Sequence, residues 1–261
     1  MTAEYTTIRL ETCEGGVARI TLNRPDKRNP IGPATCGELV HAFRVVGEEP
    51  ALGAVVLTGA GKAFSAGGDL SMMSGGAGAE SKVPPASLVE LFKTMHGLGK
   101  PIVAMVNGHA LAGGLGLMVA CDLAIASDAA TFGTTEIKVG LWPMMITAEI
   151  ARNIGRKHAL ELMLTGKRIG ANEAARIGLI NRAVPADELE EVAMALAREL
   201  AAQSPATMAL GLRSYYQVQD MSYGEALRHL EGELAKVLSL EDAAEGLAAF
   251  FQKRKPVWKG R

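Results

Sequence analysis

The sequence predicts an α/β fold that is followed by a helical C-terminal region. Two short, continuous apolar runs, at 54–57 and 102–106, are typical of strands buried on both faces of a parallel sheet. A glycine-rich loop and then a helical pattern follow each run, and this alternation indicates α/β organisation. Beyond Pro185 the apolar spacing becomes almost purely helical. We therefore expect an α/β unit over 1–185 and a helical unit over 186–261.

The first predicted elements are a β-hairpin and a helix. Apolar and β-branched residues are concentrated at 6–10 and 17–22, and the Gly15-Gly16 pair between them suits a tight hairpin turn. Apolar residues then recur at every third or fourth position over 36–46. This spacing predicts a helix with one buried face.

The remaining elements follow in the same way. The stretch 74–86 is rich in Gly, Ser, Ala and Pro, which predicts a surface loop. A strand is predicted at 122–126, short helices over 146–178 and a last strand at 180–184. The helical unit is predicted to contain four helices, at 187–202, 205–218, 222–238 and 241–252. These helices either cap the sheet or form an oligomer interface, and the pattern favours neither alternative.

Composition excludes several classes of protein. The 27 Lys and Arg residues nearly balance the 28 Asp and Glu residues, so the chain lacks the basic field of a dedicated nucleic-acid-binding protein. With 48% hydrophobic and 21% charged residues, it can bury a large core and is not disordered. Three cysteines and five histidines, without paired spacing, argue against a disulfide framework or a zinc cluster and favour a reducing compartment.

One stretch is long enough to cross a membrane. Residues 101–121 carry no formal charge, yet they include Pro101, Asn107, His109 and four glycines. We expect a strand, a turn and the start of a helix there rather than a membrane span. The N-terminus has an acidic residue and lacks a basic, then apolar, leader pattern, which predicts a cytoplasmic protein.

Glycine-rich loops first suggest phosphate binding, but their spacing argues against it. Residues 59–62 do not complete a Walker A loop, and neither 59–64 nor 114–119 completes G-x-G-x-x-G. Ser65 lacks the flanking glycines of a nucleophile elbow. Cys121 lies in an apolar helical pattern and is interpreted as a core residue.

Two glycine-rich loops carry the remaining functional signal, at 62–69 and 107–116. Together with four other fragments in the same order, they resemble the crotonase superfamily, the enoyl-CoA hydratase/isomerase family. The six fragments are LNRPDKRNP (22–30), KAFSAGGDL (62–70), NGHALAGGLGL (107–117), FGTTEIKVGLWP (132–143), LTGKRIGANEAARIGLINRAV (164–184) and FFQKRKPVWKG (250–260). The resemblance covers nearly the whole chain and implies a crotonase-like spiral of ββα units with a C-terminal helical region.

The same resemblance implies an acyl-CoA substrate, such as an enoyl-CoA thioester. Negative charge collects on the thioester oxygen when an enolate forms, and by resemblance the backbone N–H groups of Gly68 and Gly113 bind that oxygen. Glycine leaves the approach to such donors open. Further substrate contacts carry over to Ala66, Asp69 and Leu70. Coenzyme A is part of the substrate, so neither a separate cofactor nor a metal is implied.

The acid/base residue is expected at Glu136. Hydratases of the family use two glutamates around a water; Glu136 matches the second of them, whereas Gly116 stands at the position of the first. A glycine side chain cannot position water or carry a proton. One glutamate can still move a proton between two carbons, as in relatives that isomerise 3-enoyl-CoA to 2-enoyl-CoA. The resemblance therefore favours isomerisation over hydration. We also expect partial burial to raise the pKa of Glu136.

Other polar residues leave alternatives open. Glu149 is the leading candidate for a second carboxylate, although the pattern favours a place on a solvated helix face over that role. His109 either contacts the substrate or is structural. Asp69 is expected to cap the next helix and Asp122 to be structural. Apolar residues expected to line the acyl pocket are Met72, Met73, Leu88, Leu91, Met95, Trp142, Met144 and Met145.

The resemblance also implies a homotrimer or a dimer of trimers, formed through the helical unit, and a role in fatty acid metabolism. No nucleic-acid or membrane partner is expected. The alternatives are other crotonase chemistry, namely thioester hydrolysis, decarboxylation or ring closure, and a non-catalytic oligomer that binds CoA esters or RNA. The near-zero net charge counts against RNA.

Overall fold

The computed structural model of the chain describes residues 4–69 and 78–261, and within these ranges it contains ten strands and ten α-helices. The strands are β1 Ile8–Cys13, β2 Val17–Leu22, β3 Ala54–Gly59, β4 Ala63–Ser65, β5 Ile102–Val106, β6 His109–Leu111, β7 Leu123–Ser127, β8 Thr131–Gly133, β9 Ile169–Gly170 and β10 Arg182–Val184. The α/β class is confirmed.

The helices follow in chain order and include all four that were predicted beyond Pro185. They are α1 Pro33–Glu48, α2 Leu88–Gly97, α3 Gly113–Val119, α4 Met144–Asn153, α5 Arg156–Thr165, α6 Ala171–Arg176, α7 Leu189–Ala201, α8 Pro205–Val218, α9 Tyr223–Leu238 and α10 Glu241–Gln252, with short 3₁₀ helices at Pro25–Lys27 and Thr135–Val139.

The strands form a large sheet and a small sheet. The large sheet has the order β1-β2-β3-β5-β7-β10; β1 and β2 are antiparallel and the other pairs are parallel. The small sheet has the order β4-β6-β8-β9. Three consecutive strands of the large sheet thus each continue into a strand of the small sheet, which gives the chain a repeated β-β unit.

Glycines at the corners allow the chain to turn from one sheet into the other. A β-carbon added to Gly59, at the end of β3, would lie 2.4 Å from the carbonyl oxygen of Ala63. One added to Gly108, between β5 and β6, would lie 2.2 Å from the carbonyl oxygen of Lys62. A side chain at either position would displace the backbone of β4 or its approach.

The small sheet differs from the sequence prediction. The segments 62–69 and 107–116 were expected to be loops, yet β4 and β6 lie inside them, and β8 and β9 were not predicted either. Strands of two or three residues are too short to show a two-residue periodicity, and they form because neighbouring strands pair with them, parallel for β4–β6 and β6–β8 and antiparallel for β8–β9.

Helix α7 explains why the central strands are apolar on both faces. Its residues Leu189, Ala193 and Met194 pack on one face of the large sheet, against residues such as Val56 and Met105. The other face packs on the main core, which includes α1 and α3. The first helix of the helical unit therefore covers the sheet.

In the uncharged stretch 101–121 the predicted strand and helix are β5 and α3, with the unpredicted β6 between them, and Cys121 at its end is buried. Among the described residues, no helix is both long and apolar enough to cross a membrane.

Candidate active site

A cavity of about 480 Å³ lies where the two glycine-rich segments meet the 3₁₀ helix Thr135–Val139 and the first turn of α4. Its lining is mostly apolar. The residues that line it are Ile31, Gly32, Pro33, Cys36, Ala66, Gly68, Ala86, Ser87, Leu88, Ala112, Gly113, Thr135, Glu136, Val139, Leu141, Trp142, Pro143, Met144, Met145 and Ile146. The structure thus brings Gly68, Gly113 and Glu136 to one site.

The two glycine-rich segments are in direct contact. Gly67 has φ +103°, and a β-carbon there would lie 2.6 Å from the β-carbon of Ala112. One added to Gly113 would lie 3.6 Å from the backbone nitrogen of Gly68. Glycine at position 67 is therefore required both by its φ angle and by the close approach of the second segment.

Within residues 4–69 and 78–261, no backbone oxygen accepts a hydrogen bond from the N–H of Gly68 or Gly113. Gly68 forms a parallel bridge with Ile31 that uses the carbonyl of Gly67 and the N–H of Asp69, at 2.8 and 3.1 Å. Gly113 is the first residue of α3, so its N–H has no acceptor within the helix. Two donors from different segments can therefore be directed at one oxygen atom.

Ala112 holds the second segment in an unusual backbone conformation that the sequence did not reveal. Its φ of 51° and ψ of −130° are rare for a residue with a β-carbon, and such strain costs on the order of 1–3 kcal/mol. Its N–H donates to the carbonyl of Gly133 at 2.8 Å, which anchors the turn to β8. Ala112 and the first residue of α3, Gly113, both line the cavity.

Glu136 contributes a carboxylate to the cavity wall. It belongs to the 3₁₀ helix that ends at Gly140, where φ is 76°. Its Oε2 is buried and accepts no hydrogen bond from the residues at 4–69 and 78–261. Burial raises the pKa of Glu136, and its own backbone amide offsets only part of this. The prediction of a partly desolvated carboxyl with a raised pKa agrees with this geometry.

The three further residues that were expected to contact the substrate have three different outcomes in the structure. Ala66 lines the cavity, and its N–H donates to the carbonyl of Arg28. Asp69 is buried and forms an ion pair with Arg24 at 2.9 Å. Leu70 lies outside the described residues, as does the segment that Asp69 was expected to cap. The roles of Ala66, Asp69 and Leu70 in substrate binding remain predictions.

Some of the apolar residues that were expected to line the acyl pocket do line the cavity. Leu88, Trp142, Met144 and Met145 line the cavity. Leu91 and Met95 do not; they point into the main core and are almost fully buried. The expectation for these two was wrong because α2 turns its buried stripe toward α1 and the core. Met72 and Met73 lie outside the described residues.

Glu149 is not a second carboxylate of this cavity. It lies one turn beyond Ile146 on α4 and forms an ion pair with His96, Oε2 to Nε2, at 3.4 Å. It belongs to a separate group of side chains, His96, Asp122, Glu149 and Tyr216, which we call the polar cluster. Glu149 shares a side of α4 with Met145 and Ile146 but lies one turn further along the helix, beyond the residues that line the cavity.

Two other polar residues are structural. Asp122 accepts a hydrogen bond from the N–H of Ile102 at 2.7 Å, as expected for a structural residue. His109 lies on β6, exposed, and its Nδ1 is 2.7 Å from the hydroxyl of Thr131. His109 does not line the cavity. Among the residues that the structure describes, no group of three or more His, Cys, Asp or Glu side chains could hold a metal ion.

Comparisons with known proteins agree with this architecture. The family model described as enoyl-CoA hydratase/isomerase matches residues 12–261. Carnitinyl-CoA dehydratase of Escherichia coli is 37% identical over 259 residues, which are 96% of this chain and 97% of that protein. Hydroxycinnamoyl-CoA hydratase-lyase of Pseudomonas fluorescens is 33% identical over 259 residues, which are 96% of this chain and 94% of that protein.

Solved structures extend the similarity to three dimensions. The crystal structure of an enoyl-CoA hydratase from Bacillus anthracis superimposes with a TM-score of 0.89 at 32% identity, over 98% of this chain and 100% of that chain. The crotonase-like arrangement of ββα units expected from the sequence is thereby confirmed.

Proposed function

Because the chain belongs to the enoyl-CoA hydratase/isomerase family, we propose that it moves the double bond of an enoyl-CoA thioester from the 3- to the 2-position. Glu136 is the single acid/base residue. The N–H groups of Gly68 and Gly113 bind the thioester oxygen. One observation carries this proposal: Glu136, whose Oε2 is buried and accepts no hydrogen bond from the described residues, lines the same apolar cavity as Gly68 and Gly113.

The steps follow from these positions. Glu136 removes a proton from C2 of the 3-enoyl thioester, and the electron pair of that C–H bond forms the C1–C2 double bond of a dienolate while charge moves to the thioester oxygen. Gly68 and Gly113 stabilise this charge. Protonation at C4 by Glu136 then shifts the electrons to a C2–C3 double bond and restores the carbonyl. Both protons pass through one carboxyl group, so no second acid is needed.

The general base and the N–H donors are each expected to contribute a large factor to the rate of the reaction. A positioned general base contributes about 10²–10⁴-fold in rate. Removal of one backbone-type oxyanion donor costs about 10²–10³-fold in comparable sites. The raised pKa of Glu136 makes it a better base for a weakly acidic C–H bond than an ordinary carboxylate.

Hydration of 2-enoyl-CoA is the second candidate. The relatives' names support it, since the Bacillus anthracis structure is described as a hydratase. In that reaction the oxygen of water adds to C3 and a proton adds to C2. This requires a held water, and the cavity offers Glu136 but no carboxylate at Gly116. Thioester hydrolysis, decarboxylation and ring closure need further polar groups, and we rank them below both.

The distinguishing experiment follows absorbance of the conjugated 2-enoyl thioester. Purified protein is incubated with a 3-enoyl-CoA and, separately, with crotonyl-CoA. We expect absorbance to rise with the 3-enoyl compound and to fall little with crotonyl-CoA. A fall with crotonyl-CoA and no rise with the 3-enoyl compound would replace isomerisation by hydration. No change with either, at several acyl lengths, would contradict both.

We propose that the acyl-CoA thioester is the only organic group the site needs and that no separate cofactor takes part. The chemistry above uses only a carboxyl group and two N–H donors. Extensive dialysis, with and without a chelator, is therefore expected to leave the rate unchanged; a rate restored by an added metal or cofactor would contradict this.

We also propose self-association, as a homotrimer or a dimer of trimers, through the helical unit. Four leucines on α9 recur at intervals of three and four residues and are 39–64% exposed: Leu227, Leu230, Leu234 and Leu238. Leu234→Lys is expected to lower the mass measured by sedimentation equilibrium. Val45→Lys, at an exposed apolar residue on α1, is the matched control.

We propose the cytoplasm as the location. Cys13, Cys36 and Cys121 are all free, and unpaired thiols fit a reducing compartment. Fractionation of the source cells would test this, and recovery in a membrane or secreted fraction would contradict it.

A further inference from the structure

Ile146 occupies the space that any side chain at position 116 would need. A β-carbon added to Gly116 would lie 2.0 Å from Cγ2 and 2.6 Å from Cβ of Ile146. Real β-carbons do not approach other carbons so closely, so the two positions exclude each other's side chains. Gly116 itself does not line the cavity, whereas Ile146 does. The isoleucine therefore stands between Gly116 and the cavity.

The side chain of Ile146 is held firmly. Ile146 lies in the first turn of α4, is only 2% exposed and packs in the main core. Thr147 next to it donates from its hydroxyl to the carbonyl of Pro143 at 2.6 Å, which ties this turn of α4 to its start. Glu149, one turn further, is bound to His96. These contacts on both sides fix the rotation of α4 and keep Ile146 against α3.

Gly116 follows Gly113 by one helical turn of α3. Because Ile146 packs on Gly116, the cavity wall next to Gly113 is apolar. A bound water needs about two to four polar partners. Glu136 offers one acceptor, but neither Gly116 nor Ile146 offers a polar side-chain atom on this side. On this side of the cavity, the wall is therefore formed by the hydrocarbon side chain of Ile146.

We propose that Ile146 is a specificity-determining residue that keeps water away from the reacting carbons and so commits the site to proton transfer instead of water addition. This inference rests on the proposed function. With water excluded, the dienolate is protonated at C4 and the conjugated product leaves before water can add at C3. With water admitted, the same oxyanion donors would also stabilise the enolate that forms when water adds to C3.

The experiment replaces Ile146 by a polar side chain of similar size. Ile146→Asn places an amide in the wall, and Ile146→Val keeps the wall apolar as the matched control. Each protein is incubated with a 3-enoyl-CoA, and the ratio of 3-hydroxyacyl-CoA to 2-enoyl-CoA is measured by chromatography at early times. We expect the ratio to rise about tenfold or more in Ile146→Asn and to stay at the wild-type value in Ile146→Val. An equal ratio in all three proteins overturns the proposal.

A stability measurement tests the contact without relying on activity. Gly116→Ala is expected to lower Tm because its new β-carbon meets Ile146. The double variant Gly116→Ala/Ile146→Ala is expected to be more stable than the sum of the two single stability changes predicts. Additive effects would overturn the steric basis of the proposal. This comparison of single and double variants remains informative even if Ile146→Asn does not fold.

The two proposals fail in different ways. A wild-type protein that converts no 3-enoyl-CoA contradicts the proposed function. A wild-type protein that isomerises this substrate but forms as much 3-hydroxyacyl-CoA as Ile146→Asn contradicts the role of Ile146 alone.

Discussion

Helix α4 contributes to two regions that each contain a buried carboxylate, and the two carboxylates have opposite surroundings. Its first turn lines the cavity with Glu136, where Oε2 is buried without a donor among the described residues. Its later residues reach the polar cluster, where Glu149 is bound to His96. A carboxylate with an oxygen that lacks a donor in an apolar cavity is available for a reaction, whereas a paired one supports the fold.

The polar cluster is internally satisfied. Tyr216 donates to Oδ1 of Asp122 at 2.5 Å, and its ring stacks on His96 with centroids 4.2 Å apart. Burial raises the pKa of Asp122, and the hydrogen bond from Tyr216 offsets part of this. Burial and the neighbouring Asp122 raise the pKa of Tyr216. The cluster thus joins α2, α4 and α8 to the edge of β7.

The comparison shows that burial and a shifted pKa do not identify a catalytic carboxyl by themselves. Asp122 and Glu136 both have a raised pKa because of burial. They differ in that Asp122 has donors on both oxygens, at 2.5 and 2.7 Å, whereas Oε2 of Glu136 has no donor among the described residues and Glu136 lines the same cavity as Gly68 and Gly113. The following predictions test this difference, from the largest expected effect to the smallest.

Loss of the Glu136 carboxylate is expected to have the largest effect. Glu136→Gln should lower kcat with a 3-enoyl-CoA by about 10²–10⁴-fold, because an amide cannot accept the C2 proton. Binding of a CoA ester, measured by calorimetry, should change little. Glu149→Gln is the matched control and should leave kcat near the wild-type value. Equal losses in both variants would remove the distinction between the two regions.

A methyl group at Gly113 is expected to have the next largest effect. Its β-carbon would lie 3.6 Å from the nitrogen of Gly68, an ordinary contact distance, so Gly113→Ala should fold normally. It would crowd the oxygen-binding position and lower kcat by about 10²-fold.

Gly114→Ala is the comparison for Gly113→Ala. A β-carbon at Gly114 would lie 2.6 Å from the carbonyl oxygen of Ser65, so this variant should lose about 1–3 kcal/mol of stability to overpacking. Denaturant unfolding and steady-state rates separate the two effects. A Gly113→Ala protein with wild-type kcat would show that this N–H does not bind the substrate oxygen.

Loss of the Tyr216 hydroxyl should affect stability and not chemistry. Tyr216→Phe keeps the ring on His96 but leaves a buried oxygen of Asp122 without its donor, which costs about 1–3 kcal/mol. Urea unfolding measures this loss, and kcat at a temperature where the variant is folded should equal that of the wild type. A lower kcat in the folded variant would assign the polar cluster a part in the reaction.

The smallest expected effect is on the pH dependence of kcat/KM. The midpoint of its rise on the acidic side should be shifted to higher pH. Glu136 must be ionised to accept a proton, so the rate rises with pH through its pKa. Because burial raises that pKa, the midpoint should lie above the ordinary value of 4.5. Tyr216→Phe should leave the midpoint unchanged. A midpoint at or below 4.5 would contradict a desolvated Glu136.

Much of the fold could be predicted because long elements carry their own periodicity. The strands β3 and β5 and the helices α7 to α10 were predicted within a few residues, since their apolar spacing reflects burial directly. The small sheet was missed because β4, β6 and β8 have three residues each. Their strands depend on a partner distant in sequence, which local spacing does not encode.

The candidate site was predicted in part for the same reason. Gly68, Gly113 and Glu136 lie in continuous motifs, and the structure brings them to one cavity. Glu149 was misassigned because the sequence shows neither that the cavity ends one turn earlier on α4 nor that His96 packs beside Glu149. Ala112 carried no signal, since alanine is ordinary in a loop and only its φ of 51° makes it unusual.

The sequence by itself determined the α/β class and the two glycine-rich segments, because each depends on residue type at short spacing, and its resemblance to the family indicated Glu136 as the one expected acid/base carboxylate. Only the tertiary structure decided which carboxylate faces the cavity and what fills the space at Gly116. The reason is physical: the contact between Gly116 and Ile146 joins two helices 30 residues apart, α3 and α4, and steric exclusion between them exists only once both are packed.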